Sequence, residues 1–194
     1  STKKAINFYK YFVVGTLHPT NAKTAEMVKL VENASRDNQI AFANELSIIC
    51  DKAGINVWEM IALANKHPRV NILNPGTGVG GHCIAVDPWF IVSEFPEESP
   101  LIKKSRETNT YKTEWVIEKI KNKSLAFKIE NKRDPIIACM GLAFKPDIDD
   151  LRESPALLVT KRLISNDFEI LAVEPNIKEH TEFDIFTAND AIKK

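Results

Sequence analysis

Between Asn74 and Pro88 the chain places Gly76, Gly78, Gly80 and Gly81 within six residues, followed at once by His82 and Cys83. Glycine at that density disfavours both helix and strand. The stretch therefore splits the chain into an earlier and a later part. A glycine run lets the backbone curl closely around a ligand and can aim N–H groups at an anion. A thiol placed at its end, with Asp87 four residues on, has the makings of a nucleophile beside a carboxylate. The run satisfies G-x-G-x-x-G literally, but that fingerprint needs a strand before it and a helix opening at it. Here helical sequence precedes it, and Cys83 and Asp87-Pro88 intervene before the next helix. Two readings besides a substrate-cradling loop stay open, a dinucleotide turn and a plain flexible connector.

Before the glycine run the pattern is helical. Residues 1–19 hold one short apolar stretch, Tyr11 to Val14, and read as a helix tail with a linker. From Thr20 to Ala53, apolar residues recur at helical spacing (Ala25, Val28, Val31, Ala34, Phe42, Leu46, Ile49), with Thr20 or Asn21 as cap and Gly54 as terminator. A helix of that length runs through packing layers or along a subunit interface, so a homodimer through residues 20–53 is expected. Asn56 with Glu59 forms a capping box for a helix over Val57–Lys66, which His67-Pro68 ends. Asp87-Pro88 reads as N-cap and first helical position of a helix to about residue 95, and another helix spans Pro100 to Phe127.

The character changes at Asp134-Pro135. Ile136 to Gly141 is a buried-strand signal, Pro155 to Ser165 a helix, and Glu169 to Val173 a second strand. Strand, helix, strand opens a parallel α/β sheet, and two strands alone make no sheet, so the chain is expected to be a piece of something longer. The fold class expected is α/β: a helical central dimerisation domain over residues 20–130, after a linker or remnant over 1–19, followed by a partial Rossmann-like parallel-sheet nucleotide-binding domain over 134–194.

Composition narrows the function classes. Lys plus Arg and Asp plus Glu balance at 26 each, which argues against an electrostatic nucleic-acid or membrane footprint. No apolar run approaches a membrane span, and no metal-ligand spacing links the cysteines and histidines. Three dispersed cysteines suit a reducing compartment, hence an expected cytoplasmic location. Cys50, on the long helix, and Cys139, in a strand, fit structural roles; Cys83, among glycines, does not. His82 is adjacent to Cys83, and neighbours in sequence rarely aim side chains at each other, so it reads as a loop residue. Lys29 and Asn33 share a helix face. They suit either solvation or, beside a thiol, donation to an oxyanion. The Gly141–Pro155 segment lies where α/β sheets bind ligands, and its Lys145 and Arg152 suit a phosphate or carboxylate, or simply a charged loop.

Taken together, the segments Asn21–Lys29, Ala41–Glu45, His67–Asn71, Gly80–Pro88 and Gly141–Pro155 resemble the nucleotide-sugar 6-dehydrogenases, the UDP-glucose/GDP-mannose dehydrogenase family. Gly-Gly-His-Cys-Ile-Ala-Val-Asp-Pro is similar to the acetamido-sugar branch. UDP-glucose members carry Lys-Asp where this chain has Val86-Asp87. The resemblance implies a four-electron oxidation of a sugar C6 alcohol to a carboxylate with two NAD⁺, in surface polysaccharide biosynthesis. The expected substrate is UDP-N-acetyl-D-mannosamine, with UDP-N-acetyl-D-glucosamine as rival.

By the same resemblance, Cys83 carries the thiohemiacetal and thioester. Lys29 and Asn33 stabilise oxyanions, and Asp87 handles the proton or the water. Arg69, Asn71, Gly76, Gly78, Gly80, Gly81 and Lys145 match substrate-contacting positions, with Arg69 reaching a neighbouring subunit, and Arg152 lies near the cofactor. The family's NAD-binding domain has no counterpart before Thr20, so this stretch alone is expected to be inactive. The alternatives are a non-catalytic helical dimerisation module and a thiol acyltransferase or hydrolase using Cys83 and His82, which lacks an orienting partner for the histidine.

Overall fold

A computed structural model describes residues 2–193. The elements in chain order are α1 (Thr2–Tyr9), α2 (Ala22–Ala53), α3 (Val57–Ala64), α4 (Asp87–Glu94), α5 (Pro100–Asn131), β1 (Ile136–Met140), α6 (Pro155–Ile164), β2 (Glu169–Val173), β3 (Ile185–Phe186) and α7 (Ala188–Lys193). Helix α2 starts where the Asn21 side chain accepts the Thr24 N–H at 2.9 Å and stops at Gly54, whose φ of 69° suits a residue without Cβ. In α3 the Asn56 side chain accepts from Trp58 and Glu59.

Three details depart from the sequence expectation. Val86 caps α4 and Asp87 sits one position inside it, its carboxylate engaged elsewhere. Helix α5 runs four residues beyond Phe127, to Asn131, and ends on Lys132 in the left-handed region. The sheet has a third strand, β3, followed by α7, beyond the two strands the sequence predicts. Two residues are too few to show a period-2 pattern, and a six-residue helix is too short to show a 3.6-residue one.

Helices α2 and α5 form the first layer. Asp37 meets Arg106, Asn44 meets Asn109, Ser47 meets Lys112 and Asp51 meets Lys119. The pairs advance along both helices together, so α2 and α5 run side by side in the same sense, with α3 and α4 in the connection. The C-terminal half of α5 then packs on the second layer, where Ile117, Val159 and Leu163 form a core with Val116, Ile120, Cys139, Phe168 and Ile170. Fully burying an apolar side chain of this size contributes roughly 1.5–3 kcal/mol.

The sheet is parallel throughout, in order β1-β2-β3, with Ile137 opposite Ile170 and Ala172 opposite Ile185. Along β2, Ile170 faces α6 while Leu171 and Val173 face Ala191 of α7. Alternation puts a helix on each face, as a buried parallel sheet requires. The buried Glu174 carboxylate closes the end of β2 by accepting the Leu142, Ala143 and Asn176 N–H groups at 2.8, 3.0 and 3.1 Å. Burial pushes this carboxyl up, but those three bonds, with the Asn176 side chain, outweigh it and hold it below the usual carboxylate range.

Candidate functional site

The glycine loop has no regular structure, so side chains from both layers must hold it. At its entrance the Gly76 N–H donates to Asn44 Oδ1 at 2.8 Å, and Thr113 Oγ1 donates to the Thr77 carbonyl at 2.7 Å. At its exit the Gly81 N–H donates to the Arg152 carbonyl at 3.1 Å. In between, the missing Cβ atoms are what allow contact. A Cβ on Gly78 would stand 2.4 Å from Thr113 Oγ1. One on Gly80 would stand 2.6 Å from the Glu153 carbonyl oxygen and 2.7 Å from Phe144 Cβ. At Gly78, Gly80 and Gly81 the absent side chain thus serves close packing on α5 and on the Gly141–Pro155 segment. Gly76 and Gly81 spend their N–H groups on the protein, whereas those of Gly78 and Gly80 meet no acceptor among the described residues.

Cys83 is half-buried one turn before α4, its carbonyl accepting the Asp87 N–H at 2.8 Å. Asp87 Oδ2 in turn accepts Asn33 Nδ2 at 2.5 Å, joining residues 54 positions apart. Two of the sequence candidates therefore touch, and both stand beside the thiol loop. Arg152, whose carbonyl accepts the Gly81 N–H at the loop's exit, has its guanidinium fork taken by Asp150 through bonds of 2.6–3.1 Å. Those side-chain bonds, with a backbone bond from the same arginine, bring the Asp150 carboxyl down to about 2.

The remaining candidates stand apart. Lys29 is 62% exposed and lies 3.8 Å from Glu32, with no bond to Asp87 or Cys83. Arg69 and Asn71 are exposed in the irregular stretch after α3, where the Asn65 side chain clasps Ile72 through both its N–H and its carbonyl. Lys145 is exposed, with its ammonium 5.7 Å from the Phe144 ring centre, the ring against which Gly81 packs. It also lines a cleft of about 810 Å³ at the carboxyl ends of the strands, with Asn176, Lys178 and Thr187.

Sequence reasoning missed a buried polar chain behind the loop. Arg106 donates to Asp37 at 2.6 Å, Asn109 donates to the same oxygen at 2.8 Å, and Asn44 donates to Asn109 at 2.9 Å. The available signal was polar residues recurring on the inward face of α2. Beside this chain, Lys112 lines a cleft of about 700 Å³ with Trp58 and Trp115, its ammonium bonded to Ser47 and 4.0 Å from the Trp115 ring centre.

Burial drives the Lys112 ammonium down from 10.5 to about 8, against the pull of Asp51. The folded chain releases this proton near pH 8 and the unfolded chain near 10.5, so the unfolded state binds more protons in between and stability from this group rises with pH there. Lys112→Met is expected to lack that rise, worth at most ~3 kcal/mol. Urea unfolding from about pH 7.5 to 10.5 measures it, and parallel pH profiles for the two chains would refute it.

Among the described residues no three His, Cys, Asp or Glu side chains converge as a metal site, and no helix is long and apolar enough to cross a membrane. The thiol loop is thus held between a helical layer and a small α/β layer. Residues 23–111 match the central domain of the UDP-glucose/GDP-mannose dehydrogenase family and residues 138–193 match its UDP binding domain. The chain belongs to that family.

Among relatives, it is 63% identical to a UDP-N-acetyl-D-mannosamine dehydrogenase of Campylobacter jejuni, the match covering 90% of this chain and 42% of that protein. It is 54% identical to an NDP-N-acetyl-D-galactosaminuronic acid dehydrogenase of Ralstonia solanacearum, over 91% of this chain and 41% of the relative. The solved UDP-N-acetyl-mannosamine dehydrogenase of Staphylococcus aureus superposes with a TM-score of 0.78 at 41% identity, over 92% of this chain and 41% of that one. The chain thus spans about two fifths of the length of these relatives.

Proposed function

We propose that this chain carries the thiol site and UDP-binding portion of a nucleotide-sugar 6-dehydrogenase acting on UDP-N-acetyl-D-mannosamine. The observation that carries the reading is the Asn33–Asp87 bond one turn from Cys83. It sets an amide donor and a carboxylate beside a nucleophile, as the oxidation of an alcohol through a thioester needs. In this reading Cys83 Sγ adds to the C6 aldehyde to give a thiohemiacetal. The oxyanion formed there takes its hydrogen bond from the Asn33 amide, with Lys29 supplying positive charge at the mouth. After oxidation to the thioester, Asp87 accepts a proton from the water that hydrolyses it, and Cys83 leaves as thiolate.

Two NAD⁺, bound in turn, would each accept one hydride. The residues here offer the cofactor little, because the glycine Cβ positions are filled by Phe144, Pro155 and Thr113 and the Leu142 and Ala143 N–H groups are taken by Glu174. Arg152, an exposed guanidinium at the thiol loop, is the residue assigned to its phosphates, which would have to displace Asp150 from its fork. The glycine loop with Lys145 faces the UDP-sugar, and Arg69 and Asn71 serve a neighbouring subunit's substrate. Met27, Val28, Val31, Phe42 and Ile49 leave apolar surface exposed along α2, which suits the homodimer assigned to that helix. The complete enzyme works in the cytoplasm, and this segment alone does not turn over.

Iodoacetamide at neutral pH tests the reading. Cys83 is expected to react at least ~10-fold faster than Cys139, whose thiol burial pushes up, and than the buried Cys50. UDP is expected to slow Cys83 specifically. Equal sluggishness of all three thiols, indifferent to UDP, would favour a helical module without chemistry.

A further inference from the structure

Loop residues 76–87 carry the thiol, and both ends of that loop are tied to α2. Asn33 takes the Asp87 end and Asn44 the Gly76 end. The two asparagines are eleven positions apart. At ~100° per residue this returns to within about 20° of the same helix face, about 16 Å further along the axis. Asn44 is wholly buried, and both halves of its amide are used. Its oxygen accepts from Gly76, and its nitrogen donates to Asn109, whose own nitrogen is committed to Asp37. An aspartate there would face the Asn109 oxygen with a second acceptor. An apolar residue would strand both partners without a bond.

We propose that Asn44 is a positioning residue: with Asn33 it clamps the two ends of the Cys83 loop to one face of α2 and so sets where the thiol stands. Thr113 acts with it, since its hydroxyl donates to the Thr77 carbonyl one residue along. The helix is the rigid ruler and the loop the part that needs one. The inference rests on the Cys83 reading for its catalytic meaning, but the clamp itself is testable without substrate.

Amide hydrogen exchange and Cys83 alkylation on the chain as it stands give the test. In the native chain the Gly76 amide is expected to exchange at least ~100-fold more slowly than those of Gly78 and Gly80, although all three lie in the same irregular loop. Asn44→Ala is expected to bring Gly76 within ~3-fold of its neighbours and to raise the Cys83 alkylation rate at least ~5-fold, because the half-buried thiol is loosened. Leu163→Ala, in the second-layer core, serves as a variant that destabilises without touching the loop, and is expected to leave both readouts within ~2-fold.

Should Asn44→Ala not fold, Thr113→Val is expected to speed exchange at Gly76 toward the rate of Gly78 and Gly80, and the native exchange pattern decides independently. An unprotected Gly76 amide in the native chain, or the same Cys83 rate in the Asn44 and Leu163 variants, overturns the proposal. Failure of UDP to protect Cys83 while the clamp readouts hold would sink the dehydrogenase reading and leave the clamp standing.

Discussion

Arg106→Ala is expected to cost the fold about 3–5 kcal/mol, the range for removing one member of a buried ion pair. The pair with Asp37 is almost without solvent contact, and Asp37 also carries the Asn109 bonds that lead to Asn44 and the glycine loop. Removing the guanidinium leaves an uncompensated carboxylate inside the α2–α5 seam. By contrast, the exposed pairs Lys104–Glu107 and Lys121–Glu118 are expected to contribute no more than about 1 kcal/mol each.

The loss is a large part of the roughly 5–15 kcal/mol that holds an ordinary domain together, so urea midpoints measure it readily. The double replacement Asp37→Leu with Arg106→Met removes both charges and is expected to recover most of it, since an apolar pair of similar volume avoids the desolvation cost. A single-variant loss below about 1 kcal/mol would show that the seam relaxes around the charge.

Gly80→Ala is expected to undo the docking of the two layers at the thiol loop. The new methyl carbon would lie 2.6 Å from a backbone oxygen, 2.7 Å from Phe144 Cβ and 2.8 Å from Pro155 Cδ, none of which is the free end of a flexible side chain. Overpacking of this kind costs about 1–3 kcal/mol. Here it also breaks the Gly81–Arg152 bond that closes the loop, so Cys83 should lose its UDP-dependent protection as well.

Gly76→Ala, where the added atom meets nothing nearer than 3.7 Å, is expected to stay within about 0.5 kcal/mol of the native chain. If the glycines existed to admit a ligand rather than a neighbouring loop, both variants would keep native stability and lose only ligand protection. Comparing the two by urea unfolding and by thiol labelling separates these cases.

Much of the fold was legible in the residues. Asn21 and Gly54 mark the ends of α2 because a side-chain acceptor and a left-handed glycine are local chemistry, readable without neighbours. Strand β1, helix α6 and strand β2 stood out because each is long enough to show a local signal, an apolar run for the strands and a Pro-led helical pattern for α6. Strand β3 and helix α7 were not legible, since two and six residues carry no periodicity and are held by Leu171 and Val173 of β2, through Phe186 and Ala191. Asp87 looked like a helix cap from its place before Pro88. Its carboxylate instead serves Asn33, a partner 54 residues away.

The glycine run shows where the boundary lies. Its composition alone determined that an irregular loop would interrupt the helical sequence and end in a thiol, because backbone propensity is a property of each residue. The sequence also sufficed to suggest the family, since its motifs are ordered strings. The tertiary structure alone decided what the glycines pack against, which N–H groups they keep free, and which asparagines reach the loop. Those depend on which side chains meet across α2, α5 and the segment after β1. Contacts between residues dozens of positions apart leave no local trace; they exist once the layers have packed.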